Sequence, residues 1–285
     1  MEQEIIIPNK ASFERKKTAF RQGGISCLHV LSDFDRTLTY AYVDGKKAPS
    51  IIGGLRSGKY LTPDYVARAT ALYEKYRPIE IDPLISPEEK SAKMSEWWRV
   101  HFELLVECGL DYNTMDKMVS ENLSRFREGA SEFLESLEKQ GVPLVIMSAG
   151  PGDALKMIFE KNHLFFSNIS IIANVFEFNE KGKVVKIKEP LIHSTNKSEI
   201  TIKSFPEIFH KIEDRGNVLL LGDNVSDIGM VEGFPFEALI KVGFLSPDAQ
   251  EKDNLEEFKN NFDVILTGDG GMDFVNKLMR EIYEV

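Results

Sequence analysis

The sequence is poor in cysteine and in tryptophan, with two of each, and it has no long apolar run. A membrane-spanning helix needs about 20 consecutive apolar residues, and no segment approaches that. Two cysteines exclude a disulfide framework and cannot hold zinc by themselves. Cys27 and Cys108 lie in the apolar stretches ISCLHV and LVECGL, and read as reduced, buried thiols. No internal repeat or low-complexity tract is visible. No secretory signal is legible either, since the Ile5–Ile7 run in MEQEIIIPNK is far too short. A reducing, cytoplasmic location follows as the expectation. Positive charge is also in deficit: 35 Lys and Arg stand against 45 Asp and Glu, a net of −10. Nucleic-acid phosphates would repel such a chain. A phosphorylated ligand would need a metal or a local cluster of cations.

What is present fits an ordinary globular protein, with 42% hydrophobic and 28% charged residues, which excludes disorder. The 285 residues allow one large domain or two modest ones. Six apolar runs read as buried parallel strands: 27–35, 142–150, 169–178, 217–223, 238–244 and 262–269. Helical patterns at 129–140, 152–162, 198–211 and 271–284 separate several of them, which predicts a parallel α/β sheet. Residues 9–22 form a polar, basic helical pattern best read as a solvated face. Residues 45–128 break the rhythm. They contain no convincing strand but several helix starts: Thr62-Pro63-Asp64, Ser86-Pro87-Glu88-Glu89, and Asp111 as a third cap. That block is too long for a crossover. It predicts a helical insertion rooted at the carboxyl edge of the sheet, where open α/β sheets bind ligands.

Four segments could carry chemistry. Asp33-Phe34-Asp35-Arg36-Thr37 places two carboxylates just past a buried strand. Like charges so close raise one another's pKa unless a cation intervenes, and a hard divalent ion with oxygen ligands resolves the repulsion. Gly222-Asp223-Asn224-Val225-Ser226-Asp227 repeats the pattern at the end of another strand, on the same sheet edge if the strands are parallel. Met147-Ser148-Ala149-Gly150 ends a third strand, where a small hydroxyl and backbone N–H groups can meet a phosphate. Lys197, in IHSTNKSE, has the spacing of a surface lysine, but the converging carboxylates call for a cation beside them. The GPG at 150–152 imitates the start of a dinucleotide fingerprint, yet Leu155 stands at the third glycine position, which argues against that reading.

Taken in order, these four pieces resemble the haloacid dehalogenase (HAD) superfamily of phosphatases. DFDRTLT, IEIDP, EWW, SAGPGD, IHSTNK and LGDNVSD together resemble, more closely, the cytosolic 5′-nucleotidase III (pyrimidine 5′-nucleotidase) family, from about Ser32 to about Gly243. The resemblance implies a HAD-like Rossmannoid parallel-sheet core made of residues 1–44 and 129–285, with a helical cap domain at 45–128. It implies a Mg²⁺-dependent 5′-nucleotidase that releases phosphate from a nucleoside monophosphate through an aspartyl-phosphate. Asp33 would be the nucleophile and Asp35 the general acid–base. Asp33, the Asp35 carbonyl and Asp223 would hold Mg²⁺, with Asp227 nearby, acting through water or by orienting Lys197. Ser148, the Ala149 N–H and Lys197 would bind phosphate, and Thr37 would support the loop.

Glu80 would contact the base from the cap. Trp98 stands where the pyrimidine-preferring branch has Tyr and the 7-methylguanosine-monophosphate branch has Trp, and an indole face suits a cationic purine. His101, one turn on, departs from the small residue of the pattern and would narrow the pocket or bond to a ligand. Arg36 stands where family members often carry Met. The resemblance implies a monomer acting on a small molecule, with no nucleic-acid or membrane partner. Two alternatives stay open on the residues alone: a phosphatase for another small phosphorylated metabolite, and a non-catalytic phospholigand-binding module. The second usually lacks a nucleophile or metal carboxylate, and all four aspartates are present here.

Overall fold

The computed structural model describes residues 3–57, 60–82, 84–121, 124–197, 202–232, 235–249 and 252–283. A seven-stranded sheet is built from β1 (Ile5–Ile6), β2 (Leu28–Ser32), β5 (Leu144–Pro151), β6 (Ile169–Asn174), β9 (Asn217–Gly222), β10 (Ala238–Leu245) and β11 (Val264–Thr267). Its order is β1-β11-β10-β9-β2-β5-β6, with only β1 antiparallel. Two hairpins stand apart from it: β3 (Tyr42–Val43) with β4 (Lys46–Lys47), and β7 (Phe176–Phe178) with β8 (Val184–Ile187). The helices are α1 (Lys10–Gly23), α2 (Ile51–Ser57), α3 (Pro63–Ile81), α4 (Pro87–Glu107), α5 (Tyr112–Ser120), α6 (Ala130–Lys139), α7 (Gly152–Lys161), α8 (Pro206–Phe209), α9 (Lys252–Asn261) and α10 (Asp273–Tyr283). Among the described residues, no helix is long and apolar enough to cross a membrane.

The sheet is buried on both faces, which is why its strands read as unbroken apolar runs. Side chains alternate between two cores. Val30, Ile146 and Leu219 face one, while Leu31, Val145 and Leu220 face the other. Each of these buried aliphatic side chains contributes on the order of 1.5–3 kcal/mol. From β2 the chain runs to β5 and β6 on one side, then to β9, β10 and β11 on the other. The strand order therefore reverses at β2, and a crevice opens at the carboxyl ends of β2, β5 and β9.

Several sequence expectations change in detail. The 169–178 run is two strands, because the chain leaves the sheet after Asn174 and β7 pairs with β8 instead. The strand-free reading of 45–128 misses β4, formed because Asp44 and Gly45 both take positive φ (51° and 74°) and close a tight hairpin turn. Of the helix expected over 198–211, residues 198–201 lie outside the described residues. The rest is a turn at Ile202–Ser204 and the short α8, because Pro206 starts a new helix and forces Phe205 out of helical geometry. Cys27 and Cys108 are free thiols but half-buried, since one lies in the turn before β2 and the other caps the carboxyl end of α4. The basic face of α1 is partly paired, Lys16 with Asp263 and Lys17 with Glu281.

The three helix starts between residues 60 and 112 form as the sequence suggests. Thr62, Ser86 and Asp111 accept hydrogen bonds from the N–H groups of Tyr65, Glu89 and Thr114. α3 and α4 pack through Tyr76, Met94 and Trp97, with the Tyr76 and Trp97 rings stacked at 5.7 Å. Tyr65 and His101 add a buried contact at 3.0 Å.

One buried cation ties the chain around β2. Arg127, 3% exposed, donates to the carbonyls of Arg36 (2.6 Å), Thr37 (2.9 Å) and Gly270 (2.5 Å) and pairs with Asp269 at 2.9 Å. Asp269 in turn accepts from the N–H groups of Ala41 and Tyr42. This clamp holds Arg36 at a φ of 65°, a left-handed conformation that bulky residues avoid. Removing one partner of such a pair leaves a buried charge and several carbonyls unsatisfied. Arg127→Ala should lower the unfolding free energy in urea by about 3–5 kcal/mol, and a loss under about 1 kcal/mol would mean the clamp is dispensable.

Burial also lowers His29, His101 and His193, each to about 4. The unfolded chain, with imidazoles near ~6.5, binds more protons than the folded one between those values. Stability from this source is thus intact at neutral pH and lost as pH falls through that window. His101→Gln should flatten the acid limb of a stability–pH curve. An unchanged slope would show that this histidine takes no part.

Candidate active site

Local geometry explains why the motif residues meet. The N–H of Asp33 donates to the Leu221 carbonyl at 3.0 Å, so the pairing of β2 with β9 continues one residue past the strand and aims Asp33 across the switch point. Beyond β9, Gly222 leaves room for the Asp227 side chain to fold back. A Cβ at position 222 would lie 2.7 Å from the Cβ of Asp227. Asp227 Oδ2 then accepts from the N–H groups of Asp223 and Asn224, both at 3.1 Å, at the start of a 3₁₀ turn capped by Asn224. The spacing of the GDxxxD motif thus has a mechanical cause.

The buried Lys197 ammonium joins the two carboxyl motifs. Nζ lies 2.6 Å from Asp33 Oδ1 and 2.6 Å from Asp227 Oδ1. Burial alone would depress this ammonium, but the two carboxylates and their hydrogen bonds overcome that and hold it above its ordinary range. Its solvent-facing spacing in the sequence is misleading, because its loop is drawn inward by its own side chains. Asn196 Oδ1 accepts from the His193 N–H and Asn196 Nδ2 donates to the Leu191 carbonyl. Asn174, fully buried at the end of β6, donates to the carbonyls of Ala149 and Ile192 and accepts from the Ile192 N–H. It locks the Ser148–Ala149 turn to the Lys197 loop. The sequence offered one signal for Asn174, a polar residue closing a buried apolar run.

The acidic groups remain over-concentrated. Asp33, Asp223 and Asp227 can each present a carboxylate oxygen within 4.8 Å of the others. Burial first, then the Asp227 charge, pushes Asp33 up to about 6 despite Lys197 beside it. Burial and the neighbouring Asp33 raise Asp35 to about 7, against the opposing pull of Arg36, Lys197 and the Ile51 N–H. Asp223 is raised well above the usual carboxylate range by burial and by Asp33 and Asp227. Among the described residues no ion pair reaches Asp223. Asp227 has both oxygens engaged by close donors, and Asp33 holds Lys197 on Oδ1 and the Thr37 hydroxyl, at a long 3.4 Å, on Oδ2, so Asp223 lacks a cation beside it and Asp33 Oδ2 is only weakly held. This buried, all-oxygen set fits a hard divalent metal ion.

One cleft of about 230 Å³ collects nearly all the residues singled out above. The carboxyl edge of the sheet and the loops beyond it bring Asp33, Asp35, Ser148, Ala149, Lys197, Asp223 and Asp227. Ser148 Oγ accepts from the Gly150 N–H at 3.0 Å, which leaves its own proton to donate. Helices α3 and α4 bring Glu80 and half-buried Trp98, and Arg77, Ser194, Ser50 and Ile52, which sequence reasoning did not single out, complete the lining. His101 is a correction. It is 1% exposed, does not line the cleft, and bonds to Tyr65 with its ring against Trp98. Met94 and Leu105, at helical spacing from His101 and Trp98, are buried too, so among Met94, Trp98, His101 and Leu105 only Trp98 lines the cleft. A larger cleft, about 760 Å³, lies by Tyr40, Tyr42 and Arg125, but its charged groups Arg125, Asp248 and Asp269 are already paired.

The fold and this site define a class of protein. A HAD-family hydrolase from Salmonella enterica superposes with a TM-score of 0.55 at 12% identity, covering 90% of this chain and 72% of that one, a likeness of fold alone. Residues 36–283 match the family model described as pyrimidine 5′-nucleotidase (UMPH-1), and the chain belongs to that family. The human 7-methylguanosine phosphate-specific 5′-nucleotidase is 36% identical over 265 residues, 93% of this chain and 87% of that protein. The structure of cytosolic 5′-nucleotidase IIIB bound to cytidine matches with a TM-score of 0.89 at 29% identity, covering 98% of this chain and 93% of that one.

The carboxylate crowding makes a prediction for the metal-free protein. Asp223→Asn removes one repelling charge, so it should raise the melting temperature in chelator and abolish the gain that millimolar Mg²⁺ gives the wild type. Equal responses of variant and wild type to Mg²⁺ would remove Asp223 from the metal site.

Proposed function

We propose that the chain is a Mg²⁺-dependent 5′-nucleotidase that hydrolyses nucleoside 5′-monophosphates by way of an aspartyl-phosphate. The observation that carries this reading is one cleft that joins carboxylates, Ser148 and Lys197 from the sheet edge and its loops to Glu80 and Trp98 from α3 and α4. In this reading the phosphate sits with the carboxylates and the base with Glu80 and Trp98. Residues 45–128 act as a cap over a core made of 1–44 and 129–285. The reading takes the chain as a cytoplasmic, monomeric enzyme acting on a small molecule without a membrane partner, and the −10 charge disfavours a nucleic-acid partner.

In this reading Asp33, Asp223 and the Asp35 carbonyl would hold Mg²⁺, which would supply positive charge to offset the negative charge of the phosphoryl group. An ionised Asp33 attacks phosphorus and the bond from phosphorus to the 5′-oxygen breaks. Asp35 gives its proton to that leaving oxygen, and a carboxyl raised to about 7 holds the proton near neutrality. Asp35 then takes a proton from water, the water oxygen attacks phosphorus, and the aspartyl bond breaks to free phosphate and restore Asp33. Ser148, the Ala149 N–H and Lys197 hold the phosphoryl oxygens as charge redistributes. Asp227 keeps Lys197 in place.

The base end is read as follows. Glu80 accepts from base N–H groups and Trp98 stacks on the ring. Pyrimidine monophosphates and 7-methylguanosine monophosphate are the leading substrates, in line with the names of the relatives and the cytidine in the matched structure.

The test is steady-state turnover of CMP, UMP, 7-methylguanosine monophosphate and a panel of sugar phosphates, with and without Mg²⁺. Nucleotides should be hydrolysed only with the metal, and Asp33→Asn should reduce kcat by roughly a thousandfold or more. Release of phosphate from sugar phosphates but not from nucleotides would sink the reading.

A further inference from the structure

The base end of the cleft contains a cation that the hydrolysis does not require. Arg77 sits near the carboxyl end of α3, three residues before Glu80, a spacing that puts both on one helical face. Its NH1 group lies 2.5 Å from Glu80 Oε2, while Ser194 Oγ lies 2.5 Å from Glu80 Oε1. Each carboxylate oxygen therefore already holds one donor. The Arg77 side chain is 44% exposed and the Glu80 side chain 17%, and both line the cleft with Trp98.

Two physical consequences follow. A bare carboxylate in a cleft favours a ring that carries positive charge, and a guanidinium bound to it cancels much of that preference. A carboxylate only accepts hydrogen bonds and a guanidinium only donates them. Side by side they complement a neutral base edge that sets a donor next to an acceptor, as the exocyclic amine and ring nitrogen of cytosine do. Trp98 pulls the other way, because its face attracts a cationic ring.

We propose that Arg77 is a specificity-determining residue that turns the cleft toward neutral nucleobases and against cationic ones, by neutralising Glu80 and donating to the base edge. The assignment rests on the nucleotidase reading above. Two unit charges about 6 Å apart at an effective dielectric near 20, discounted for the exposure of the arginine, amount to about a tenfold effect on relative kcat/KM.

The experiment uses the full chain with Mg²⁺. It compares kcat/KM for 7-methylguanosine monophosphate, whose base is cationic, with that for CMP, in the wild type, Arg77→Gln and Arg77→Lys. Arg77→Gln should raise the ratio of the first to the second about tenfold, and Arg77→Lys, which keeps the charge, should hold it nearer the wild-type value. Should turnover by a variant be too slow to measure, the same ratio is read from the Kd values of cytidine and 7-methylguanosine. A ratio in Arg77→Gln that stays within about twofold of the wild type, or falls, overturns the role of Arg77 and leaves the nucleotidase reading standing. If the wild type hydrolyses para-nitrophenyl phosphate but neither nucleotide, the nucleotidase reading fails and this assignment fails with it.

Discussion

The structure turns on one buried ammonium held between two carboxylates at the carboxyl edge of a mainly parallel sheet. Lys197 lies 164 residues from Asp33 and 30 from Asp227, and it reaches both at 2.6 Å. Without it, β2 and β9 would deliver their aspartates into a desolvated space with no counter-charge, a cost of several kcal/mol per ion. With it, the charges are still unequal. Three carboxylates approach within 4.8 Å, one cation serves two of them, and Asp223 is left over. That residual imbalance is what suits the site to a divalent ion and to an anionic substrate, and it reconciles a net-acidic chain with phosphate chemistry.

Holding such a cluster requires rigid supports, and the protein supplies them from outside the reacting groups. Arg127 and Asp269 clamp the loop after Asp35 through backbone carbonyls and N–H groups. Asn174 fastens the Ser148 turn to the Lys197 loop. His193 carries the same loop to α4 through Ser95 at 2.9 Å, and Ser194 carries it to α3 through Glu80. One short loop, residues 191–197, thus links Lys197 and the Ser148 turn to Glu80 on α3 and to Ser95 on α4. A displacement of that loop would be felt at all of them.

Much of this was legible before the fold was known. Six apolar runs gave the six parallel strands, because burial on both faces leaves a continuous hydrophobic signature. The run at 169–178 misled only in its second half, where pairing switches to a hairpin that leaves no local mark. DFDRT and GDNVSD were recognisable because their spacing is set by local backbone geometry, down to the glycine that makes room for Asp227. His101 shows the opposite case. Helical spacing put it beside Trp98, but rotation about the α4 axis decides which of the two faces the cleft, and packing against Tyr65 turns His101 inward. Arg127 and Asn174 carried almost no signal, since each acts on backbone atoms far away in sequence.

The sequence by itself determined the parallel sheet, the two acidic motifs at its carboxyl edge and the helix starts at Thr62, Ser86 and Asp111. These are short-range properties, fixed by hydrophobic period, capping residues and the steric limits of a turn. Only the tertiary structure decided that Lys197 is buried between two aspartates, that Arg77 and Ser194 share Glu80, and that His101 stands outside the cleft. The contact between Ser194 and Glu80 joins segments 114 residues apart. Such contacts depend on how packed elements orient one another in space, which a spacing rule along the chain does not encode.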